Sequence, residues 1–212
     1  QREVVAYAVP AGWRISGTGD FVTDGRTDLL LVHADGSVAF WFMRGTAIRQ
    51  GLVRYAVPSG WHVSGIGDFN ADGRPDIVLV HDDSSVAFWL MEDAILKQGR
   101  VPFKLPRGWR IIASGDFNMD GHSDLVLLHE SGSVAFWFMN GTAFLYSVVP
   151  FGVPEGWRII GAEDFNWDGN PDIVLQNQDG YLSFWLMKGS SVRRGVVSDQ
   201  AYSTAWSLVG SQ

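Results

Sequence analysis

Acidic residues recur in four short loops of this chain at a fixed spacing. Each loop has nine residues, with Asp at positions 1, 5 and 9 and Gly at position 6, and the copies begin at Asp20, Asp68, Asp116 and Asp164. Oxygen ligands at alternate positions of a tight loop can all face inward, and the glycine permits the reversal that brings in a later carbonyl. Ca²⁺ takes six to eight oxygen ligands and is held in this way, whereas Mg²⁺ keeps more of its water. The spacing therefore predicts calcium sites.

Position 3 distinguishes the first loop from the other three. It is Asn70, Asn118 and Asn166 in the last three loops but Val22 in the first, which removes a ligand, so the first loop either binds through water or stays empty. We accordingly expect three to four structural Ca²⁺ ions. The predicted metal ligands are Asp20, Asp24, Asp28, Asp68, Asn70, Asp72, Asp76, Asp116, Asn118, Asp120, Asp124, Asp164, Asn166, Asp168 and Asp172.

The loops also share features with EF-hands and with simple β-turns. An EF-hand begins in the same way, but its position 12 is a bidentate Glu, where this chain has Leu31, Leu79, Leu127 and Leu175. Simple β-turns also favour Asp, Asn and Gly. Turns alone leave three carboxylates crowded into nine residues, and their mutual repulsion then needs relief. A bound cation supplies that relief.

The elements that position the loops come from a 48-residue repeat. Gly-Trp pairs end at Trp13, Trp61, Trp109 and Trp157, and a degenerate fifth copy ends at Trp206. Each unit contains four short apolar segments, which in the first unit are the "GWRISGTGDF" segment, Asp28–His33, Gly36–Met43 and Leu52–Val57. Gly, Asp, Asn or Pro bounds each segment, which is typical of strands separated by turns. Each unit is therefore predicted to form four strands.

The third segment is apolar at alternating positions on both sides. Val38, Phe40 and Phe42 face one way, while Ala39 and Trp41 face the other. Strands buried on both faces are expected where each small sheet lies between two others, as in stacked propeller blades. A sandwich of about 16 strands gives no reason for a strict period, and solenoid coils have shorter ones. The predicted fold is an all-β β-propeller of four-stranded blades.

The repeat does not divide the chain evenly. We expect one domain over 1–212, with repeats at about 11–58, 59–106, 107–154 and 155–200 and surplus strands at 3–10 and 204–211. The surplus strands cap the ring, form a truncated extra blade or pair with another chain. Since an uncovered edge strand invites pairing, a homo-oligomer is one expected partner arrangement.

The motif "GDFNADGRPDIVLV", followed by "SVAFWLM", resembles the FG-GAP and VCBS-type repeats of calcium-loop β-propellers. That group includes integrin α-subunit heads and propeller lectins, and the resemblance covers essentially the whole chain. It implies mainly structural Ca²⁺ at the Asp and Asn positions of each loop, pinning the hairpin between a blade's inner strands, with Val22 as a departure. It is specific for the fold and the metal loop and unspecific for function.

Composition excludes several function classes. The formal charge is −7 and the chain has no Cys, which argues against a nucleic-acid partner and removes thiol chemistry. No stretch of 18 apolar residues exists, so we expect no membrane insertion. The N-terminus lacks the pattern of a signal peptide, so we expect a protein that is cytosolic or already processed. Loops of moderate calcium affinity fill only where the ion is abundant, which favours a secreted or extracellular surface location.

No catalytic residue is predicted, and the protein is expected not to be an enzyme. Catalytic groups are normally unique, whereas the candidates here recur. His33, His81 and His129 end the second strands, with Asn177 in the fourth unit. They either form a repeated ligand-contacting group or, as the favoured expectation, hydrogen-bond between blades. Nucleophile-elbow and phosphate-loop patterns are missing from the sequence.

Binding is the favoured function, and carbohydrate bound by a multivalent, lectin-like protein is the leading hypothesis. The Trp residues at the strand starts, each beside a cationic residue, either line grooves between blades or pack the blades together. The mid-strand Trp residues are expected in the core, namely Trp41, Trp89, Trp137 and Trp185. Alternatives are a protein-binding or adhesion propeller and an accessory propeller of a polysaccharide-degrading enzyme. The predicted partner is a glycan or glycoprotein surface. The predicted ligand-binding residues are Trp13, Arg14, Trp61, His62, Trp109, Arg110, Trp157, Arg158 and Trp167.

Overall fold

The computed structural model describes residues 7–203, and over this range every regular element is a β-strand. Sixteen strands form four antiparallel sheets of four, each built from consecutive strands. These sheets are the blades predicted from the 48-residue repeat, so the predicted propeller fold class is confirmed. The described residues contain no helix long and apolar enough to cross a membrane.

The strand bounds repeat with the period of the sequence. Blade 1 comprises β1 Trp13–Gly19, β2 Asp28–His33, β3 Ser37–Arg44 and β4 Ala47–Ala56. Blade 2 comprises β5 Trp61–Gly67, β6 Asp76–His81, β7 Ser85–Glu92 and β8 Ile95–Lys104. Blade 3 comprises β9 Trp109–Gly115, β10 Asp124–His129, β11 Ser133–Asn140 and β12 Ala143–Gly152. Blade 4 comprises β13 Trp157–Glu163, β14 Asp172–Asn177, β15 Tyr181–Lys188 and β16 Ser191–Ala201.

The chain divides into two compact units, each containing two blades. Among the described residues, unit 1 comprises 7–67 and Asp72–Lys104, and unit 2 comprises Asp68–Ala71 and 105–203. In unit 1 one apolar core joins blades 1 and 2, with Phe40 of β3 in the same cluster as Leu79 of β6. In unit 2 Phe136 of β11 shares a core with Leu175 of β14. Each fully buried side chain of this size contributes about 2–3 kcal/mol.

Burial on both faces of the inner strands is confirmed by neighbouring residues of β3. Ala39 and Phe40 point to opposite sides of the sheet and are 3% and 0% exposed. Trp41, predicted in the core, is half-buried, as are Trp89, Trp137 and Trp185 at the same position. The indole rings therefore lie at the margin of the core.

The outer strands begin earlier than the apolar pattern predicts. Strand β4 starts at Ala47, five residues before the predicted Leu52, and includes Arg49, Gln50 and Gly51. Most of its residues are exposed, as expected for a strand at the edge of its sheet. An exposed strand carries no apolar alternation, so its first half is not recognisable in the sequence.

The surplus strands fall mostly outside the described residues. Of the predicted strand at 3–10, the described residues 7–10 form no strand, and 1–6 lie outside the described range. The predicted strand at 204–211 lies wholly outside it.

Candidate functional site

The acidic loops connect the first and second strands of each blade and are tight turns. At position 4 a non-glycine residue adopts a positive φ: Thr23 at 51°, Met119 at 62° and Trp167 at 61°. At position 6 the glycines also have positive φ, from 77° to 89° in the four copies. This alternation of left-handed residues closes the loop, as the glycine in the sequence pattern predicts.

The position-1 carboxylate is turned onto the backbone of its own loop. In the third loop Asp116 Oδ1 accepts the Asp120 N–H at 3.1 Å, and its Oδ2 accepts the Gly121 N–H at 2.8 Å. Asp20 and Asp164 make the same pair of bonds in the first and fourth loops. Two charge-assisted hydrogen bonds fix each of these carboxylates.

Position 3 adds a further bond that the first loop cannot make. Asn118 Oδ1 accepts the Asp120 N–H at 3.0 Å, and its Nδ2 donates to Asp120 Oδ2 at 2.9 Å. Asn166 does the same with Asp168. Val22 has no polar atom for this role, so the departure noticed in the sequence has a structural consequence.

The ninth-position Asp has a structural role that sequence reasoning missed. Asp28, Asp76, Asp124 and Asp172 are 0% exposed. In each blade Oδ1 of this residue accepts the backbone N–H of a Met near the end of the third strand, as Asp124 does from Met139 at 2.8 Å. These carboxylates therefore tie the acidic loop to the third strand of the same blade.

Burial makes these carboxyls electrostatically unusual. It raises the pKa of Asp124 to about 7, with Asp120 and Asp116 adding repulsion while the Met139 and Phe117 amides oppose the change. Burial likewise raises the pKa of Asp28 and Asp172, and neighbouring loop carboxylates contribute in both. In the first, third and fourth loops, carboxylates therefore crowd around one buried carboxyl group.

Orphaned buried oxygens test whether the loops suit a cation. Asp28 Oδ2 and Asp172 Oδ2 are buried without a hydrogen-bond partner, and so is Asp24 Oδ1. With the side chains in these positions, no group of three or more His, Cys, Asp or Glu within 7–203 is arranged to hold a metal. The donor set of hard oxygens, the unpartnered buried atoms and the crowded charge nevertheless fit Ca²⁺.

The first loop balances its charge with arginine. Asp24 Oδ2 lies 3.0 Å from Arg26 Nη1 and 3.3 Å from Arg49 Nη1. These two cations offset the charge of Asp24, and Val22 offers no ligand atom. A metal ion would therefore stabilise the first loop less than the loops that have Asn at position 3.

The predicted Trp residues begin the first strand of each blade and lie against the second. Pro10 O accepts the Trp13 N–H at 3.1 Å across a turn in which Gly12 has φ 83°. The Trp13 ring lies 5.1 Å from the ring of His33, and the Trp61–His81 and Trp109–His129 pairs repeat this at 5.1 and 5.0 Å. The turn thus places each indole on a strand-end histidine.

The prediction that these histidines hydrogen-bond between blades is wrong. His33 Nδ1 lies 2.9 Å from Asp35 Oδ1, and His81 Nδ1 lies 2.9 Å from Asp83 Oδ1, both within one hairpin. His129 Nδ1 similarly contacts Ser131 Oγ at 2.8 Å. The residue two positions after the histidine supplies the partner, and this i to i+2 spacing was a readable signal.

A cleft of about 360 Å³ lies between blades 1 and 2, inside unit 1. Its blade 1 side carries Arg14 and the His33–Asp35 pair, and its blade 2 side carries Trp61 and His62. The predicted groove between blades therefore exists here, but it combines Arg14 with the Trp of the following blade. Sequence reasoning did not include Asp35 or Ser59 in this site.

The polar groups of the cleft are held in place. The Ser37 amide first, then its hydroxyl and His33, lower the pKa of Asp35 to about 2, so Asp35 is ionised at neutral pH. His62 Nε2 lies 2.9 Å from Asp82 Oδ1. The cleft thus presents oriented hydrogen-bonding groups beside a half-buried indole.

A second cleft, of about 630 Å³, occupies the corresponding position on blade 4. It is lined by Gly156, Trp157, Arg158, Gln176, Asn177 and Gln178, all of them residues of blade 4 and its connections. Arg158 Nη2 donates to Gln176 Oε1 at 2.8 Å.

The remaining predicted residues are placed separately. Trp109 and Arg110 begin β9, where Trp109 is half-buried and Arg110 exposed. Trp167 stands alone on the fourth acidic loop and is 92% exposed.

Comparisons with known proteins agree with the blade architecture. The sequence profile of the FG-GAP-like repeat matches residues 20–79, 68–127 and 116–175, which together span more than half of the chain. No curated protein matches the sequence.

Among solved structures, Raptor of Chaetomium thermophilum is similar, with 13% identity, a TM-score of 0.51, and coverage of 90% of this chain and 17% of Raptor. The β-propeller domain of Cps50 (Swd1) from Myceliophteria thermophila gives 11% identity, a TM-score of 0.47 and coverage of 90% and 57%. The computationally designed Ika8 protein gives 16% identity, a TM-score of 0.43 and coverage of 86% and 48%. This chain thus spans less than two thirds of each. The Raptor likeness concerns the fold alone.

Proposed function

Because this chain belongs to the FG-GAP-like repeat family, we propose that it is a non-enzymatic binding module whose clefts between blades bind carbohydrate. Its acidic loops would hold structural calcium. The observation that carries the proposal is the cleft between blades 1 and 2, where Arg14, the His33–Asp35 pair and Trp61 meet.

The chemistry of this cleft suits a sugar. Its volume of about 360 Å³ lies within the usual range for small-ligand sites. Arg14 offers donors to hydroxyl groups, and the ionised Asp35 offers an acceptor. Trp61 supplies an apolar face against which the C–H side of a sugar ring can pack. A pocket with one aromatic face and several oriented polar groups favours a polyhydroxylated ligand over an apolar one.

Recurrence of these groups favours binding over catalysis. The histidine and its neighbour two residues later occur in three blades, as His33–Asp35, His81–Asp83 and His129–Ser131. A second cleft stands at the same repeat position on blade 4. Several weak sites on one body gain affinity for a surface that displays many copies of a ligand.

Calcium would be held by Asp116, Asn118, Asp120 and Asp124 in the third loop and by the corresponding residues of the second and fourth loops. When bound, it would neutralise the crowded carboxylates and stiffen the loop between the first two strands of a blade. The first loop, with Arg26 and Arg49 on Asp24, is proposed to fold without it. Dependence on calcium in turn favours a secreted or surface location, where the ion is abundant.

Protein binding is the second candidate, and one observation favours it. The outer strand β12 exposes Phe144, Leu145, Tyr146 and Val149 at 43–57%. Apolar residues grouped on an outer strand are typical of a surface that meets another protein.

Screening on a glycan array, with and without calcium, tests the carbohydrate proposal. We expect binding that Arg14→Ala weakens at least tenfold, because truncating an arginine that anchors a ligand typically costs more than about 1.4 kcal/mol. Arg100→Ala is the matched control, since Arg100 is exposed on β8 outside the cleft. Absence of any glycan signal in both conditions refutes carbohydrate binding, and equal effects of the two variants refute this cleft.

Thermal melting in calcium and in chelator tests the metal proposal separately. A ligand that binds only the folded protein raises the unfolding midpoint by mass action, so we expect a higher midpoint in millimolar Ca²⁺. An unchanged midpoint means that the loops are turns only.

A further inference from the structure

Consecutive blades within each unit meet through one repeated contact between a loop and a hairpin. In unit 1, Thr23 in the acidic loop of blade 1 donates from Oγ1 to Asp93 Oδ1, at 3.2 Å, in the β7–β8 hairpin of blade 2. The next hairpin residue, Ala94, is 1% exposed. In unit 2, a Cβ built on Gly189 of the β15–β16 hairpin would lie 3.5 Å from Phe117 O in the acidic loop of blade 3. Each contact thus has a loop half and a hairpin half.

The loop half is uncovered on blade 4. Phe165 is 37% exposed, whereas Phe21 and Phe117 at the same loop position are each 1% exposed. Trp167, two residues further on, is 92% exposed and corresponds to Thr23, which makes the contact in unit 1. Trp167 also has a positive φ of 61°. Its exposed apolar ring is typical of a residue that contacts a partner.

The blade face next to this loop is also incompletely covered. Leu182, Phe184 and Leu186 of β15 are half-buried. Their counterparts in blade 1, which pack against blade 2, are Val38, Phe40 and Phe42 at 0%, 0% and 5%. We call Phe165, Trp167 and these three residues of β15 the forward face of blade 4.

The hairpin half is uncovered on blade 1. Residues 44–47 are all exposed, and no atom of residues 7–203 lies within 4 Å of a Cβ built on Gly45, the counterpart of Asp93 and Gly189. Leu29 of β2 is partly exposed, whereas Ile77 and Ile173 at the same position are 0% and 1% exposed. Blade 1 therefore presents the complement of what blade 4 presents.

We infer that the forward face of blade 4 receives the β3–β4 hairpin of blade 1 from a second copy of this chain, head to tail. The repeat makes the two surfaces complementary, since they are the two halves of a contact that each unit already contains. Charge is compatible: Arg44 begins the blade 1 hairpin, and the fourth loop carries three carboxylates, of which Asp168 lies in the field of Arg193. Such a contact is heterologous and builds rings or chains of copies.

Association would also complete the cleft on blade 4. In unit 1, the far wall of the cleft is the segment before and at the start of β5, which includes Trp61 and His62. On blade 4, the described lining residues belong to the near wall, with Arg158 corresponding to Arg14. Across the proposed contact, the second copy's Trp13 and Arg14 would contribute the residue types found at the far wall of this repeat. The junction is therefore a composite site, whose carbohydrate ligand rests on the proposed function while the association does not.

Site-directed crosslinking tests the inference. The chain has no Cys, so an introduced cysteine is the only thiol that can react. Trp167→Cys and Thr46→Cys proteins are mixed and treated with a short bismaleimide. We expect a heterodimer of twice the 23.4 kDa chain mass. Met119→Cys replaces Trp167→Cys as the control, because Met119 holds the same loop position on blade 3 and is 62% exposed. Equal crosslinking of both pairs overturns the inference, and so does a Trp167→Cys protein that crosslinks mainly to itself.

Sedimentation provides the second arm without any cysteine. We expect the calcium-loaded wild type to show a concentration-dependent mass above 23.4 kDa. Trp167→Ala should weaken association at least tenfold, as loss of an interface Trp commonly does, while Met119→Ala should not. A wild-type mass of 23.4 kDa at every concentration overturns the inference. Neither experiment contains a sugar, so a negative glycan array does not affect the test of association. Conversely, a protein that stays monomeric does not affect the test of carbohydrate binding in the cleft of unit 1.

Discussion

Asp124 is a buried carboxyl, and it makes the stability of the metal-free protein depend on pH. Its pKa in the folded state is about 7, against an ordinary value of 3.8. The folded protein therefore keeps a proton that the unfolded chain releases above about pH 4. Stability contributed by this proton is complete below about pH 4 and is lost as the pH rises towards 7. The difference corresponds to about 4 kcal/mol, of which about 3 kcal/mol is lost between pH 5 and pH 8.

Asp124→Asn isolates this contribution. The amide cannot ionise, so the fall in stability between pH 5 and pH 8 should be about 3 kcal/mol smaller than in the wild type. The amide can still accept the Met139 N–H, but its NH₂ group faces the Phe117 N–H that Oδ2 now accepts at 3.1 Å. This unfavourable contact should cost the variant about 1–3 kcal/mol independently of pH, so it offsets the whole stability curve, and the slope with pH, rather than the level, is the readout.

Urea unfolding followed by Trp fluorescence, in buffers stripped of metal by resin, measures both slopes. Asp179→Asn is the matched control, since it removes an exposed carboxylate from the same unit. Calcium should stabilise the wild type more at pH 8 than at pH 5, because it binds the ionised carboxylate. Equal slopes for wild type and Asp124→Asn would refute the assignment of the pH dependence to this residue.

Two further predictions concern the loops and turns. Val22→Asn combined with Arg49→Ala supplies the missing ligand and removes a competing cation from the first loop. Calorimetric titration should therefore find one more Ca²⁺ per chain than in the wild type. An unchanged stoichiometry counts against the role given to position 3. Gly108→Ala should lower the free energy of unfolding by about 1–2 kcal/mol more than Gly156→Ala. The two glycines have similar φ values of 82° and 78°, but a Cβ on Gly108 would lie 2.6 Å from His129 Nε2, whereas one on Gly156 meets no atom of the described residues within 4 Å. Equal losses in urea unfolding would contradict the clash.

Much of the fold could be read from the sequence because the repeat is strict and the inner strands are buried. The second strand was predicted at Asp28–His33, and the structure has it at the same residues. Apolar side chains on both faces leave little ambiguity there. The outer strand β4 was predicted five residues short, because exposure removes the constraint on its side chains.

The site was only partly predictable, because clefts join residues from different repeats. Sequence neighbours suggested pairing Trp13 with Arg14, whereas the cleft of unit 1 joins Arg14 to Trp61 from the following blade. The partners of the strand-end histidines were likewise assigned to the wrong blade. The double duty of Asp124, as candidate ligand and as anchor of Met139, depends on a contact 15 residues away and has no local signal.

A crystal structure of the calcium-loaded protein with the glycan that binds best on the array tests the central claim most directly. We predict a sugar ring against Trp61 in the cleft between blades 1 and 2, hydrogen-bonded to Arg14 and Asp35. A sugar bound elsewhere on the chain, with this cleft holding only water, would contradict carbohydrate binding by this cleft.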